Sequence, residues 1–379
     1  MASSRIPVSI LTGFLGAGKS TLLNRLLKDP AMRDAAVIIN EFGEVGIDHL
    51  LVETSNDAVL ELADGCLCCT VRGELVDTLA ELVDGMQTGR IKPLSRVVIE
   101  TTGLADPAPV MQSVMGHPAI AQHFELEGVI TLVDVVHGLA TIDAHPEAYR
   151  QVAVADRLVL TKKTLAKDDA IALLVERLRA INPHAAVTDG DAPEAGNAGL
   201  LVNGLYDPST KIADVDRWLH ADAHQDHDHH DHGHDGHHGH GHHHHHHHHD
   251  VNRHGASIRS FSIVHDTPIE PSAIAMFVDL LRSTHGEKLL RMKAVIATTD
   301  APDRPLVLHG VQSIFHPPMR LPSWPEGSDR KTRLVLITQG LDEAYVRELF
   351  DAFSGKVMID RADRQAMTEN PLAVPGFRF

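Results

Sequence analysis

Gly13-Phe14-Leu15-Gly16-Ala17-Gly18-Lys19-Ser20 is the stretch on which the reading of this chain turns. An apolar run from Ile6 to Thr12 precedes it, and from Ser20 to Leu27 the apolar residues recur at helical spacing. Strand, glycine-rich loop and helix form the setting in which the pattern G-x-x-x-x-G-K-[ST] binds phosphate. Gly13, Gly16 and Gly18 let the backbone fold inwards, so that N–H groups from Ala17 to Thr21 face an anion. The helix N-terminus adds its positive end. Lys19 reaches the β and γ oxygens, and Ser20 offers a hydroxyl to Mg²⁺. A nucleoside triphosphate is the expected ligand.

Outwards from this loop, buried-strand patterns recur at Ala35 to Ile39, Val59 to Leu62, Arg96 to Ile99, Val129 to Val133 and Arg157 to Leu160. Helical patterns lie between them: Leu75, Leu79, Leu82 and Val83 mark one face, and Ala170 to Leu178 another segment. This alternation predicts an α/β domain, residues 1–215, with a mostly parallel sheet covered on both faces. Residues 216–255 read as a disordered linker, since from Asp222 to Asp250 the chain is almost entirely His, Asp and Gly. Residues 256–379 form a smaller α+β domain. In it Phe261 and Ile263 alternate in a strand, and Pro271 opens a helix whose Ile274, Phe277, Val278 and Leu281 share a face. Leu289 to Ala297, Leu306 to Val311 and Arg333 to Thr338 read as strands. Tyr345, Val346, Leu349, Phe350 and Phe353 stripe a last helix.

Composition narrows the function. The 379 residues, 43% hydrophobic and 22% charged, suit two globular units. No apolar stretch approaches the roughly 18 residues that span a bilayer. Met1 to Pro7 show no apolar signal-peptide core, so the cytoplasm is expected. A formal charge of −17 without a Lys/Arg cluster excludes a phosphate-backbone footprint for nucleic acid.

Metal chemistry is concentrated in two places. The three cysteines, Cys66, Cys68 and Cys69, lie within four positions, a local thiol site rather than a disulfide framework. Thiolates favour Zn²⁺, or Co²⁺ or Cu(I), over Mg²⁺. A tetrahedral site needs a fourth ligand, for which Glu41, Glu44, His117 and a linker histidine are the candidates. Of 29 histidines, 19 fall between His220 and His254, a flexible tract suited to holding several ions weakly. Elsewhere, the strand Val97-Val98-Ile99 delivers Glu100, which can hold Mg²⁺ through water, and Gly103, whose N–H can sense a γ-phosphate. Asp106 reads as a helix N-cap with Pro107 at the first helical position.

The phosphate loop, the segment Asn40-Glu41-Phe42-Gly43-Glu44-Val45-Gly46-Ile47-Asp48, the thiol loop, Glu100-Thr101-Thr102-Gly103-Leu104-Ala105-Asp106-Pro107 and the histidine tract occur in one order. Together they resemble the CobW-type metallochaperone GTPases, relatives of the nickel-insertion GTPases. Lys288 to Lys293 and Arg304 to Val311 resemble that family's C-terminal domain. The resemblance implies a P-loop NTPase domain that hydrolyses GTP with Mg²⁺. Lys19 and Ser20 would serve the phosphates, and Glu100 would stand where many GTPases have Asp. Cys66, Cys68 and Cys69, with Glu41 nearby, would carry Zn²⁺ or Co²⁺ to a client metalloprotein, while the C-terminal domain docks that client or closes a homodimer. It also implies that Thr161 and Lys162 belong to the guanine-reading segment. There this chain departs from the family, because Thr164 stands in place of the base-reading Asp. A hydroxyl cannot replace a bidentate carboxylate, so selectivity for guanine over adenine should weaken unless Asp168 or Asp169 moves in. A metal store with incidental nucleotide binding is the alternative function.

Overall fold

The computed structural model describes residues 5–40, 59–61, 70–202, 258–325 and 327–355. Strands β1 (Ile6–Gly13), β2 (Ala35–Asn40), β3 (Val59–Glu61), β4 (Arg96–Thr101), β5 (Phe124–Asp134), β6 (Arg157–Thr161) and β7 (Ala186–Asp189) build one sheet. Its order is β3-β2-β4-β1-β5-β6-β7, and every neighbouring pair is parallel. The connecting helices are α1 (Lys19–Leu26), α2 (Thr70–Gln87), α3 (Ala108–Gly116), α4 (Pro118–His123), α5 (Gly138–Ala144), α6 (Pro146–Ala153) and α7 (Asp168–Ile181).

Both faces of this sheet are buried, which is why its strands read as unbroken apolar runs. Along β4, Val97 and Ile99 join one core while Val98 joins the other; β2 repeats this with Ala36 and Ile38 against Val37 and Ile39. The first core is closed by Leu75 and Leu79 of α2, Met111 and Val114 of α3, Val152 of α6 and Leu174 and Leu178 of α7. The second is closed by Leu22, Leu23 and Leu26 of α1 and by Ala195, Leu200 and Leu201. From β1 the chain crosses to β2 on one side, and from β4 it crosses to β5 on the other. The crevice beyond the carboxyl ends of β4, β1 and β5 is therefore the place where open α/β sheets bind ligands.

The second sheet is antiparallel. Strands β8 (Ile258–His265), β9 (Leu289–Ile296), β10 (Leu306–Val311), β11 (Ile314–Phe315), β12 (Met319–Arg320) and β13 (Thr332–Gln339) run in the order β11-β10-β9-β13-β8, with β12 on β10. Helices α8 (Pro271–His285) and α9 (Glu343–Phe353) cover one face. The expected stripe of Ile274, Phe277, Val278 and Leu281 is buried there. Phe277 meets Phe350 edge to face at 5.3 Å. Tyr345 departs from the expected stripe: it is 41% exposed, because α9 turns Val346 and Phe350 inwards instead.

The two sheets are joined by a buried charge cluster. Asp156, just before β6, accepts from the Val129 N–H at 2.8 Å, from Arg291 of β9 at 2.6 and 2.7 Å, and from Lys293. Burial alone would raise its pKa; the two cations outweigh burial and hold the carboxyl well below the usual range. Leu290, Val311 and Ile337 of the second sheet complete the first core of the parallel one. No helix among the described residues is long and apolar enough to cross a membrane. Glu41, Glu44, the three cysteines and the histidine tract lie outside the described residues.

Candidate nucleotide site

Residues 13–20 form a loop between β1 and α1, as the motif predicts. Gly13 has φ 143°, and a Cβ there would come within 2.5 Å of the Leu132 carbonyl oxygen, so only glycine fits. Gly16 and Gly18 are left-handed as well. The Ala17 N–H bonds the Phe14 carbonyl at 3.1 Å, which tightens the turn. The Lys19 ammonium reaches back across the loop to donate to the Gly13 carbonyl at 3.0 Å. Thr21 is exposed in the first turn of α1.

Register brings the second part of the site alongside. Leu11 of β1 pairs with Glu100 of β4, so the end of β4 faces the start of the loop. There the Ser20 hydroxyl donates to Glu100 Oε1 at 3.2 Å, and Glu100 is buried. Thr101 donates to the Thr12 hydroxyl at 2.7 Å and fastens the two strands where they diverge. Gly103 follows, packed so closely that a Cβ would lie 2.6 Å from the Leu15 backbone nitrogen. Among the described residues the buried Thr102 hydroxyl has no hydrogen-bond partner.

Gln151 of α6 holds this segment down. It is 1% exposed, and its amide donates to the Gly103 carbonyl at 3.1 Å and to the Ala105 carbonyl at 3.0 Å. Its neighbour Arg150 pairs with Asp106 at 3.4 Å and reaches Gln339 of the second sheet at the same distance. Asp106 accepts the Ala108 N–H at 2.9 Å; the helix begins one residue later than the sequence predicts, with Pro107 at the cap position. His117 is an exposed link between α3 and α4.

On the far side, the Thr161 hydroxyl donates to the Ala17 carbonyl at 2.9 Å, which ties the end of β6 to the phosphate loop. Lys162 takes a left-handed φ of 59° and pairs with Asp134 at 2.8 Å. The structure thus collects Lys19, Ser20, Glu100, Gly103, Thr161 and Lys162 around one loop. Gln151, Arg150 and, in the loop after β7, Asp191 carry no motif; as single polar residues in amphipathic or loop segments they give no signal in the sequence.

Comparison with known proteins places this arrangement. Residues 7–189 match the family described as CobW/HypB/UreG, nucleotide-binding domain, and residues 258–354 match the cobalamin synthesis protein cobW C-terminal domain. The zinc chaperone YjiA of Escherichia coli is 33% identical over 350 residues, covering 91% of this chain and 98% of that protein. The chain belongs to the CobW-type family of P-loop GTPases. A second CobW-type relative, the zinc chaperone CobW of Pseudomonas aeruginosa, is 34% identical over 379 residues, 90% of each chain. The crystal structure of Zn(II)-bound YjiA GTPase from E. coli aligns with a TM-score of 0.60 at 28% identity, over 92% of this chain and 99% of that one. Among the described residues no group of three or more His, Cys, Asp or Glu side chains is arranged to hold a metal.

Proposed function

We propose that this chain is a GTP-hydrolysing metallochaperone that binds Zn²⁺, or Co²⁺, through Cys66, Cys68 and Cys69 and passes it to a client metalloprotein with nucleotide-dependent affinity. One observation carries the reading: the segment from Glu100 to Gly103 touches the phosphate loop at both Ser20 and Leu15, so a γ-phosphate seated there lies against both at once. Glu61, the described end of β3 on one side of the thiol segment, lies at the same carboxyl edge of the parallel sheet. Strands about 4.8 Å apart put β3 about 14 Å from β1, within reach of one coupled loop system. The names of both relatives, zinc chaperones, support zinc as the cargo.

In this reading Gly13, Gly16, Ala17, Gly18, Lys19, Ser20 and Thr21 cradle the phosphates, and the Gly103 N–H reports the γ-phosphate. Mg²⁺ fits the donors present, since a hydroxyl and a buried carboxylate, Ser20 and Glu100, are hard oxygen ligands. Bound there, it would supply neutralising charge at the phosphates. Thr161 steadies the loop and Lys162 covers the base side. Residues 1–215 carry the nucleotide, 216–255 hold metal in reserve and 256–379 dock the client or a second copy, with the cytoplasm as the working compartment.

The test is a Zn²⁺ titration with and without GTP and Mg²⁺: affinity differs between the two states, and equal affinities would remove the coupling. The 19 histidines between His220 and His254 favour metal storage as a second reading. Deleting residues 222–250 separates the two. Tight binding retained in the deletion, but lost when Cys66, Cys68 and Cys69 are changed to Ala, supports the chaperone.

A further inference from the structure

Guanine differs from adenine in presenting two donors on one edge, N1–H and the 2-amino group, and a site that selects it needs an acceptor there. Position 164 in the segment opened by Thr161 and Lys162 would carry that carboxylate, but it holds Thr164. The fold brings a different carboxylate against the backbone of the same segment. The loop after β7 lies against the end of β6: the Gly190 N–H donates to the Leu160 carbonyl at 2.7 Å, and a Cβ on Gly190 would come within 2.8 Å of that oxygen. Arg25 of α1 clamps the loop from the other side, donating to the Gly190 and Ala192 carbonyls at 2.5 and 2.6 Å.

Held in this way, Asp191 accepts from the N–H of Lys163 at 2.8 Å and from those of Lys162 and Thr164 at 3.3 and 3.5 Å. Its carboxylate is therefore one hydrogen bond from the backbone of residue 164 itself. The neighbouring acids are engaged elsewhere: Asp189 pairs with Lys163 at 2.6 Å and Asp134 with Lys162 at 2.8 Å. Asp168 and Asp169 sit exposed in the first turn of α7, at its positive end. Asp191 is exposed and forms no ion pair with a described residue; only its Lys163 contact is short, and the long contacts at 3.3 and 3.5 Å leave acceptor capacity on the carboxylate.

We propose that Asp191 is the specificity-determining residue of the nucleotide site, its carboxylate accepting from the guanine N1–H and 2-amino group in place of a side chain at 164. This rests on the GTP reading above, and the experiment separates the two. Xanthine has a carbonyl where guanine has the 2-amino group, so an amide at 191 turns an acceptor into the donor that xanthine needs. Nucleotide competition with Mg²⁺ on the full chain compares GTP with adenosine, xanthosine and inosine triphosphates.

Wild type prefers GTP to xanthosine triphosphate by on the order of 100-fold. Asp191→Asn reverses that order, and Asp191→Ala loses GTP affinity by on the order of 100-fold without gaining xanthosine triphosphate. Inosine triphosphate, which lacks the 2-amino group, binds wild type about tenfold more weakly than GTP and binds the D191A variant equally well. Unchanged GTP affinity in D191N, or an equal loss of all four nucleotides, would assign Asp191 to loop structure alone and overturn the proposal. A wild type that binds ATP as tightly as GTP would overturn the GTP reading instead.

Discussion

Gly103→Ala is the sharpest test of how the phosphate loop is coupled to the segment behind it. The new methyl carbon would sit 2.6 Å from the Leu15 nitrogen and 2.8 Å from its Cα, whereas ordinary contact begins at 3.4 Å. Both atoms belong to the backbone of the phosphate loop, and the Gly103 carbonyl is pinned from below by Gln151. The relief is therefore a withdrawal of Gly103 from Leu15 by close to about 1 Å, the displacement that costs on the order of 100-fold in rate when a catalytic group is moved. Ground-state binding of GDP makes no demand on Gly103 and should change less than about threefold, while overpacking removes about 1–3 kcal/mol of stability. Phosphate release at saturating GTP, fluorescent GDP titration and thermal melts measure the three effects separately. A variant that hydrolyses GTP within twofold of wild type would refute the idea that close apposition of Gly103 and Leu15 is needed for turnover.

Other expectations follow from the same contacts. Gln151→Ala frees the Gly103 and Ala105 carbonyls; kcat should fall about tenfold with little change in GTP affinity, read from steady-state and binding curves side by side. Asp156→Ala leaves the buried Arg291 and the half-buried Lys293 without that carboxylate, which should lower stability by about 3–5 kcal/mol and split chemical denaturation into two transitions as the sheets part. Burial pushes both His309 and His184 down to about 4, so between pH 6.5 and 4 the unfolded chain takes up protons that the folded chain refuses. Stability is thus full above pH 6.5 and falls with acidification through that window, by up to about 3 kcal/mol for His309, a slope that His309→Gln should reduce.

Much of the architecture was legible because its causes are local. The glycine spacing of residues 13–18 specifies an anion loop wherever it sits, and Val97-Val98-Ile99 reads as a strand buried on both sides from its own composition. The stripe on α8 was predicted residue for residue. On α9 the period alone is not enough: Tyr345 satisfies it, but it lies at the margin of the stripe and only packing decides which margin is covered. In the nucleotide site, Lys19, Ser20, Glu100 and Gly103 announced themselves by motif and position at a strand end, whereas Gln151 and Asp191 are placed by contacts with backbone atoms that no pattern marks.

Local residue patterns are enough to specify the parts: a phosphate-binding loop between strand and helix, a thiol cluster, a histidine tract, and alternating elements suited to a parallel sheet. These follow from spacing over a few residues, the range at which helix, strand and turn preferences operate. Tertiary structure alone decided that Glu100 would meet Ser20, that Asp156 would bind Arg291 and Lys293 across the two sheets, and that Asp191 would lie beside residue 164. Each of those pairs is separated by tens of residues or more. Such contacts depend on the order in which strands assemble, a property of the whole folded chain that no short window contains.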